Sequence, residues 1–122
     1  MPRILIVDDS PTETYRFKEI LEKHGYKIYT AENGSDGVAM ARQELPDVVL
    51  MDVVMPGLNG FQATRQIAKN EETKHIPVII VTTKDQETDR VWGRRQGASD
   101  YLTKPVEETV LMETIKRVME AK

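Results

Sequence analysis

Five short apolar stretches alternate with five segments of helical periodicity, predicting an α/β protein built on a doubly wound, five-stranded parallel sheet. Three observations carry this expectation. The runs Ile4-Leu5-Ile6-Val7, Val48-Val49-Leu50-Met51 and Pro77-Val78-Ile79-Ile80-Val81 contain no polar residue. Strands buried on both faces of a parallel sheet have this character. Between the runs, apolar residues recur at helical spacing, and no linker, repeat or low-complexity stretch breaks the alternation.

Each element has its own signal. Arg3 to Val7 is a buried strand stopped by Asp8-Asp9. Ser10-Pro11-Thr12-Glu13 reads as a capping box, with Ser10 at the N-cap, Pro11 in the first turn and Glu13 reaching back. Phe17, Ile20, Leu21 and His24 keep helical spacing up to a stop at Gly25. Lys27 to Thr30 is a more polar strand, suited to a sheet edge, and Asn33-Gly34 breaks it. A second helix is expected from Gly37 to Glu44, with Val38, Ala41 and Leu45 facing inward and Pro46 ending it.

The third strand runs into Asp52 and must turn at Met55-Pro56-Gly57. After the Gly57-Leu58-Asn59-Gly60 loop, Phe61, Thr64, Ile67 and Ala68 mark a third helix. The fourth strand ends at Thr82-Thr83. A polar helix from about Asp85 to Gln96 follows, with Val91 and Trp92 its only large apolar residues. Asp100 to Thr103 is a short fifth strand closed by Lys104-Pro105. The last helix carries Val110, Leu111, Ile115, Val118 and Met119 on one stripe. Five units of this kind suit the flavodoxin-like strand order 2-1-3-4-5, an order taken from known folds rather than from these residues.

Composition bounds the function. The 122 residues are expected to form one domain, with no output domain following. The absence of cysteine excludes disulfides, thiolate metal sites and a cysteine nucleophile. A net charge of −3 with mixed signs and no basic stripe argues against nucleic acid as a partner. The N-terminal apolar run is too short for a signal peptide or a membrane span, so a cytoplasmic, non-membrane protein is expected.

In the 2-1-3-4-5 order, ligands bind beyond the carboxyl ends of the strands, near the switch between strands 1 and 3. There the chain places Asp8 and Asp9 after strand 1, Asp52 after strand 3, Thr82 after strand 4 and Lys104 after strand 5. Two carboxylates about 5 Å apart repel by roughly 3 kcal/mol at an effective dielectric near 20. Lys104 offsets part of that burden, and a divalent metal is the natural remainder. Oxygen ligands with room for water suit Mg²⁺, or Mn²⁺ in its place, better than zinc or a caged Ca²⁺. A carboxylate beside such a metal and a lysine can accept a phosphoryl group. Thr82 can then donate its hydroxyl to the product.

These residues, with Gly57-Leu58-Asn59-Gly60 and Gly97-Ala98-Ser99-Asp100-Tyr101-Leu102-Thr103-Lys104-Pro105, resemble the response-regulator receiver family over nearly the whole chain. Among receivers the chain is similar to stand-alone CheY-like regulators. The runs Ala31 to Gly34, Pro56 to Arg65 and Thr82 to Asp89 most resemble PilH-type regulators of twitching motility. The resemblance implies phosphorylation of Asp52 by a chemotaxis-type histidine kinase or phosphotransfer domain. It implies metal ligation by the side chains of Asp9 and Asp52, by Asp8 through water and by the main-chain carbonyl of Val54. Thr82 and Tyr101 become coupled switch residues, and Lys104 the phosphoryl-binding cation. It also places Val54 and Lys84 beside the water that hydrolyses the product.

The fourth helix holds little apolar surface, and low local stability suits a movable element. The fourth helix, fifth strand and fifth helix are therefore the expected output surface, with Trp92, an aromatic of the hot-spot type, near its centre. A monomer is expected, acting by protein contact or as a phosphate sink, with no catalysis beyond its own phosphoryl transfer and dephosphorylation. Two other readings fit less well. An Asp-nucleophile phosphohydrolase needs a general acid where this chain has Val54, and a cap that 122 residues do not provide. A flavin carrier needs a hydroxyl-rich phosphate loop where this chain has Asp8-Asp9. His24 and His75, lacking partners nearby in sequence, read as solvated, and Arg94-Arg95 as a helix end complementing the dipole.

Overall fold

A computed structural model describes residues 1–121; Lys122, the last residue of the expected domain, lies outside the described residues. Its elements are β1 (Arg3–Val7), α1 (Pro11–Lys23), β2 (Lys27–Ala31), α2 (Gly34–Glu44), β3 (Val48–Met51), α3 (Gly60–Lys69), β4 (Val78–Thr82), α4 (Glu87–Arg95), β5 (Asp100–Thr103) and α5 (Glu108–Glu120). The strands form one parallel sheet in the expected order, β2-β1-β3-β4-β5.

Alternation along the strands divides the core in two. Ile4, Ile6, Leu50, Ile79 and Val81 meet Phe17 and Leu21 of α1 and Leu111 and Ile115 of α5. Leu5, Val7, Val49, Met51 and Val78 meet Ala41 of α2 and Ala63 and Ile67 of α3. Each fully buried Leu or Ile contributes about 1.5–3 kcal/mol relative to exposure, so these two layers hold the sheet rigidly under its carboxyl end. By contrast, α4 buries only Gly93. No helix among the described residues is long and apolar enough to cross a membrane.

Local chemistry corrects several expectations. Asn33 caps α2 by accepting the Asp36 N–H at 2.8 Å, so the helix starts at Gly34 instead of Gly37. A residue that breaks a strand is here the one that starts a helix. Leu45 does not face inward: it is the left-handed cap of α2, with φ 46°, and is 43 % exposed. Val110 is also off the buried stripe, at 42 % exposure, because the stripe of α5 is centred on Leu111, Met112, Ile115 and Val118. Only half of the first capping box forms. Ser10 accepts the Glu13 N–H, whereas the Ser10 N–H goes to Asp8 Oδ1 at 2.9 Å. His24 has a partner from far along the chain, with Nε2 2.9 Å from Glu108 at the start of α5. The polar helix α4 begins at Glu87, later than Asp85, and ends with Arg94 and Arg95 in its last turn.

Candidate phosphoryl-acceptor site

The carboxyl ends of β1 and β3 lie side by side, since Val7 pairs with Met51. The next residue on each strand is an aspartate, so Asp8 and Asp52 emerge together. Asp9 joins them: one carboxylate oxygen from each of the three lies within 4.8 Å of the others. Asp8 and Asp52 are buried and Asp9 is exposed. Lys104, the residue after β5, reaches across β4 to both buried acids. Its Nζ donates to Asp8 Oδ2 at 2.8 Å and to Asp52 Oδ2 at 3.3 Å.

The remaining lone pairs are used unevenly. Asp52 Oδ1 accepts the Val53 N–H at 2.7 Å and the Val54 N–H at 3.3 Å, which fixes the carboxylate against its own strand end. Asp8 accepts from Ser10 and from Lys104. No hydrogen bond or ion pair among the described residues engages the Asp9 carboxylate. Burial pushes the Asp8 carboxyl above its ordinary range, against the opposing pull of Lys104 and the Ser10 N–H. Burial works against the Lys104 charge, yet its two carboxylate partners hold its pKa above the ordinary lysine value. Lys104 therefore stays charged and serves two anions at once.

This donor set fits a hard divalent cation. The available atoms are carboxylate oxygens, Lys104 bonds only two of the three acids, and Asp9 has no protein donor to displace among the described residues. A cavity of about 260 Å³ lies beside Asp8 and Asp9 on the side of α1 and β2, away from Asp52. Val54, two residues after Asp52, is 54 % exposed.

The geometry is that of a metal-assisted phosphoryl acceptor, and the sequence profile of the response regulator receiver domain matches residues 4–116. The chain belongs to the response regulator receiver domain family. It is 72 % identical to Protein PilH of Pseudomonas aeruginosa over 119 residues, 98 % of each chain. It is 40 % identical over 114 residues to the response regulator PleD of Caulobacter vibrioides, covering 93 % of this chain and 25 % of PleD. Among solved structures, chemotaxis protein CheY4 of Vibrio cholerae superposes with a TM-score of 0.91 at 30 % identity, covering 97 % of this chain and 98 % of CheY4. The receiver domain of a Pseudomonas aeruginosa sensor histidine kinase, described with magnesium coordinated in its active-site cleft, gives 0.90 at 30 % identity and 98 % coverage of both chains. Receivers are signalling domains that take part in phosphotransfer with histidine kinases or phosphotransfer proteins and bind Mg²⁺ in an acidic pocket.

Of the residues singled out in this receiver's sequence, Asp8, Asp9, Asp52 and Lys104 converge. Thr82 ends β4, two residues beyond Ile80, the partner of Met51, and is fully buried. Tyr101 on β5 is 2 % exposed, and its hydroxyl donates to the Lys84 carbonyl at 2.8 Å. The Lys84 N–H in turn makes a long contact, 3.5 Å, to Thr82 Oγ1. Trp92 stands apart on α4, 49 % exposed.

Sequence reasoning missed Arg90. Its Nη1 donates to the Tyr101 carbonyl at 3.2 Å and its Nη2 to Thr103 Oγ1 at 2.8 Å. No local signal marks it, because its partners lie 11 and 13 residues away on β5.

Proposed function

We propose that Asp52 accepts a phosphoryl group from a chemotaxis-type histidine kinase or phosphotransfer domain, making this receiver a phosphorylation-switched regulator of type IV pilus twitching motility. The observation that carries the reading is the held carboxylate of Asp52. Oδ1 is tied to two backbone N–H groups, while Oδ2 meets Lys104 alone and keeps a free lone pair. The likeness to Protein PilH over nearly the full length of both chains supports the placement in twitching motility.

In the transfer, the donor's nitrogen–phosphorus bond breaks as a bond forms from Asp52 Oδ2 to phosphorus, and the imidazole leaves. Lys104 carries the growing charge on the phosphoryl oxygens, so the chain's contribution is positioning and electrostatics. Mg²⁺, when bound, neutralises phosphoryl and carboxylate oxygens together. Asp9, Asp52 and the Val54 carbonyl would hold it directly. Asp8, already committed to Ser10 and Lys104, would act through water. Thr82 would donate its hydroxyl to the phosphorylated product.

Val54 cannot orient water and a charged Lys84 cannot act as a base, so the phosphoryl group is held against hydrolysis. The α4–β5–α5 face, with the exposed ring of Trp92, is the surface for an output partner. The protein works in the cytoplasm as a monomer, by protein contact or as a phosphate sink, without acting on other substrates.

Intact mass spectrometry after incubation with a small acyl phosphate and Mg²⁺ tests the assignment. One phosphate is expected on the wild type and none on Asp52→Asn. Equal modification of the variant would refute it.

A further inference from the structure

We propose that Arg16 is a positioning residue for Lys104: from α1 it holds the segment that carries the lysine to the acids. This role rests on the reading of Asp52 as the phosphoryl acceptor and lies outside the cluster of acids itself.

Lys104 belongs to the irregular segment between β5 and α5, residues 104–107. Its ammonium must stay within reach of two carboxylates on the far side of β4. A flexible four-carbon stem gives that ammonium little direction, so the main chain beneath it has to be fixed. On one side it is. The Lys104 N–H donates to the Thr82 carbonyl at 2.8 Å, carrying the β4–β5 ladder one residue past Thr103.

On the other side the ladder has run out. Val106 buries its side chain, at 4 % exposure, in the core layer that also holds Phe17. Its carbonyl precedes α5, and no backbone N–H among the described residues donates to it. A carbonyl held against the core needs a donor from elsewhere. Arg16 Nη2 supplies one at 2.6 Å, from 90 residues earlier in the chain. A charged donor at this distance makes one of the stronger kinds of hydrogen bond.

Arg16 is itself well held. Phe17, next along α1, is 1 % exposed and anchors the helix, and the Arg16 guanidinium carbon lies 5.5 Å from the centre of its ring. No carboxylate among the described residues pairs with Arg16 and draws it away. Because α1 starts two residues after Asp9, the helix that follows the acids also holds the segment that brings the lysine. One side chain thus keeps the two loops in register while Lys104 bridges Asp8 and Asp52. Where catalysis is mainly positioning, a displacement of about 1 Å can cost about a hundredfold in rate.

Amide hydrogen exchange reads the segment without any phosphorylation. In Arg16→Met, which keeps an apolar stem and loses the donor, the Lys104 amide should exchange about tenfold faster. The Asp52 amide, bonded to the Val7 carbonyl, should stay near its wild-type rate. Ile20→Ala removes core packing from the same helix but leaves Arg16 in place, so it should lower Tm without singling out Lys104. With Mg²⁺ and a small acyl phosphate, Arg16→Met should slow phosphorylation about tenfold and leave the half-saturating Mg²⁺ concentration near its wild-type value. In a Lys104→Ala background the same substitution should have no further effect. The proposal is overturned if Arg16→Met leaves the Lys104 amide unchanged, or speeds the Lys104 and Asp52 amides alike. It is equally overturned if Ile20→Ala singles out Lys104 as strongly, or if the effect on phosphorylation persists without Lys104. A wild type that takes up no phosphate would count against the proposed function and leave the exchange test of Arg16 standing.

Discussion

Replacing Asp9 with asparagine removes one of three clustered negative charges while keeping the shape of the side chain. Asp8, Asp52 and Lys104 together leave a net charge of −1, and a carboxylate oxygen of Asp9 lies within 4.8 Å of those of both acids. At that separation a unit repulsion is about 0.9 kcal/mol in bulk water and about 3.5 kcal/mol at an effective dielectric of 20. Because Asp9 is exposed and has no bonded partner, screening places the effect near the lower figure, about 1 kcal/mol. For a chain of this size that corresponds to a rise in Tm of roughly 4 °C. Thermal unfolding followed by circular dichroism, without metal and at low ionic strength, should show this rise in Asp9→Asn. The difference should shrink as salt is added. Mg²⁺ should then stabilise the wild type more than the variant, since the variant has lost a ligand. An unchanged or lower metal-free Tm in Asp9→Asn would refute the reasoning and point to a structural bond made by Asp9.

Two further outcomes are expected. A Cβ on Gly60 would overlap the Asp52 carbonyl and lie 2.7 Å from the Val53 Cα, so Gly60→Ala must displace the loop behind Asp52. We expect a loss of about 1–3 kcal/mol in denaturant unfolding and slower phosphorylation; an unperturbed variant would show that the loop yields freely. Burial, helped by the nearby negative charge of Asp89 and opposed by Arg90, pushes the Tyr101 phenol up to about 12. Its contribution to stability is thus present below the ordinary tyrosine value and is lost as pH rises through the folded one. Phenolate absorbance should show one tyrosine titrating later than the others, absent in Tyr101→Phe. A titration unchanged by that substitution would refute the assignment.

Much of the site was legible because it depends on where strands end. Val48 to Met51 is uniformly apolar and Asp52 is not, so the carboxylate had to stand at the exit of a buried strand. The same logic located Asp8, Thr82 and Lys104. What escaped depends on contacts between segments distant in sequence. His24 is exposed as expected, but its pairing with Glu108, 84 residues away, has no local signal. Arg90 is one polar residue on a polar helix until β5 lies against it. Leu45 and Val110 fit helical spacing, but spacing cannot say that the first lies past the last turn of its helix or that the second sits at the margin of a stripe. The Glu13 half of the first capping box lost to a competitor, since Asp8 takes the Ser10 N–H.

The link between Thr82 and Tyr101 runs through the main chain of Lys84, with its N–H facing one hydroxyl and its carbonyl the other. Main-chain atoms are common to nearly every amino acid. Position 84 can therefore be rewritten through mutation without severing the connection, proline alone deleting the N–H. Its side chain, 47 % exposed and 4.0 Å from Asp89, takes no part in that link and is left free for the role proposed above, governing the lifetime of a phosphoryl group on Asp52. On that proposal, a lineage of such proteins can adjust how long a signal lasts at this position while inheriting its wiring intact.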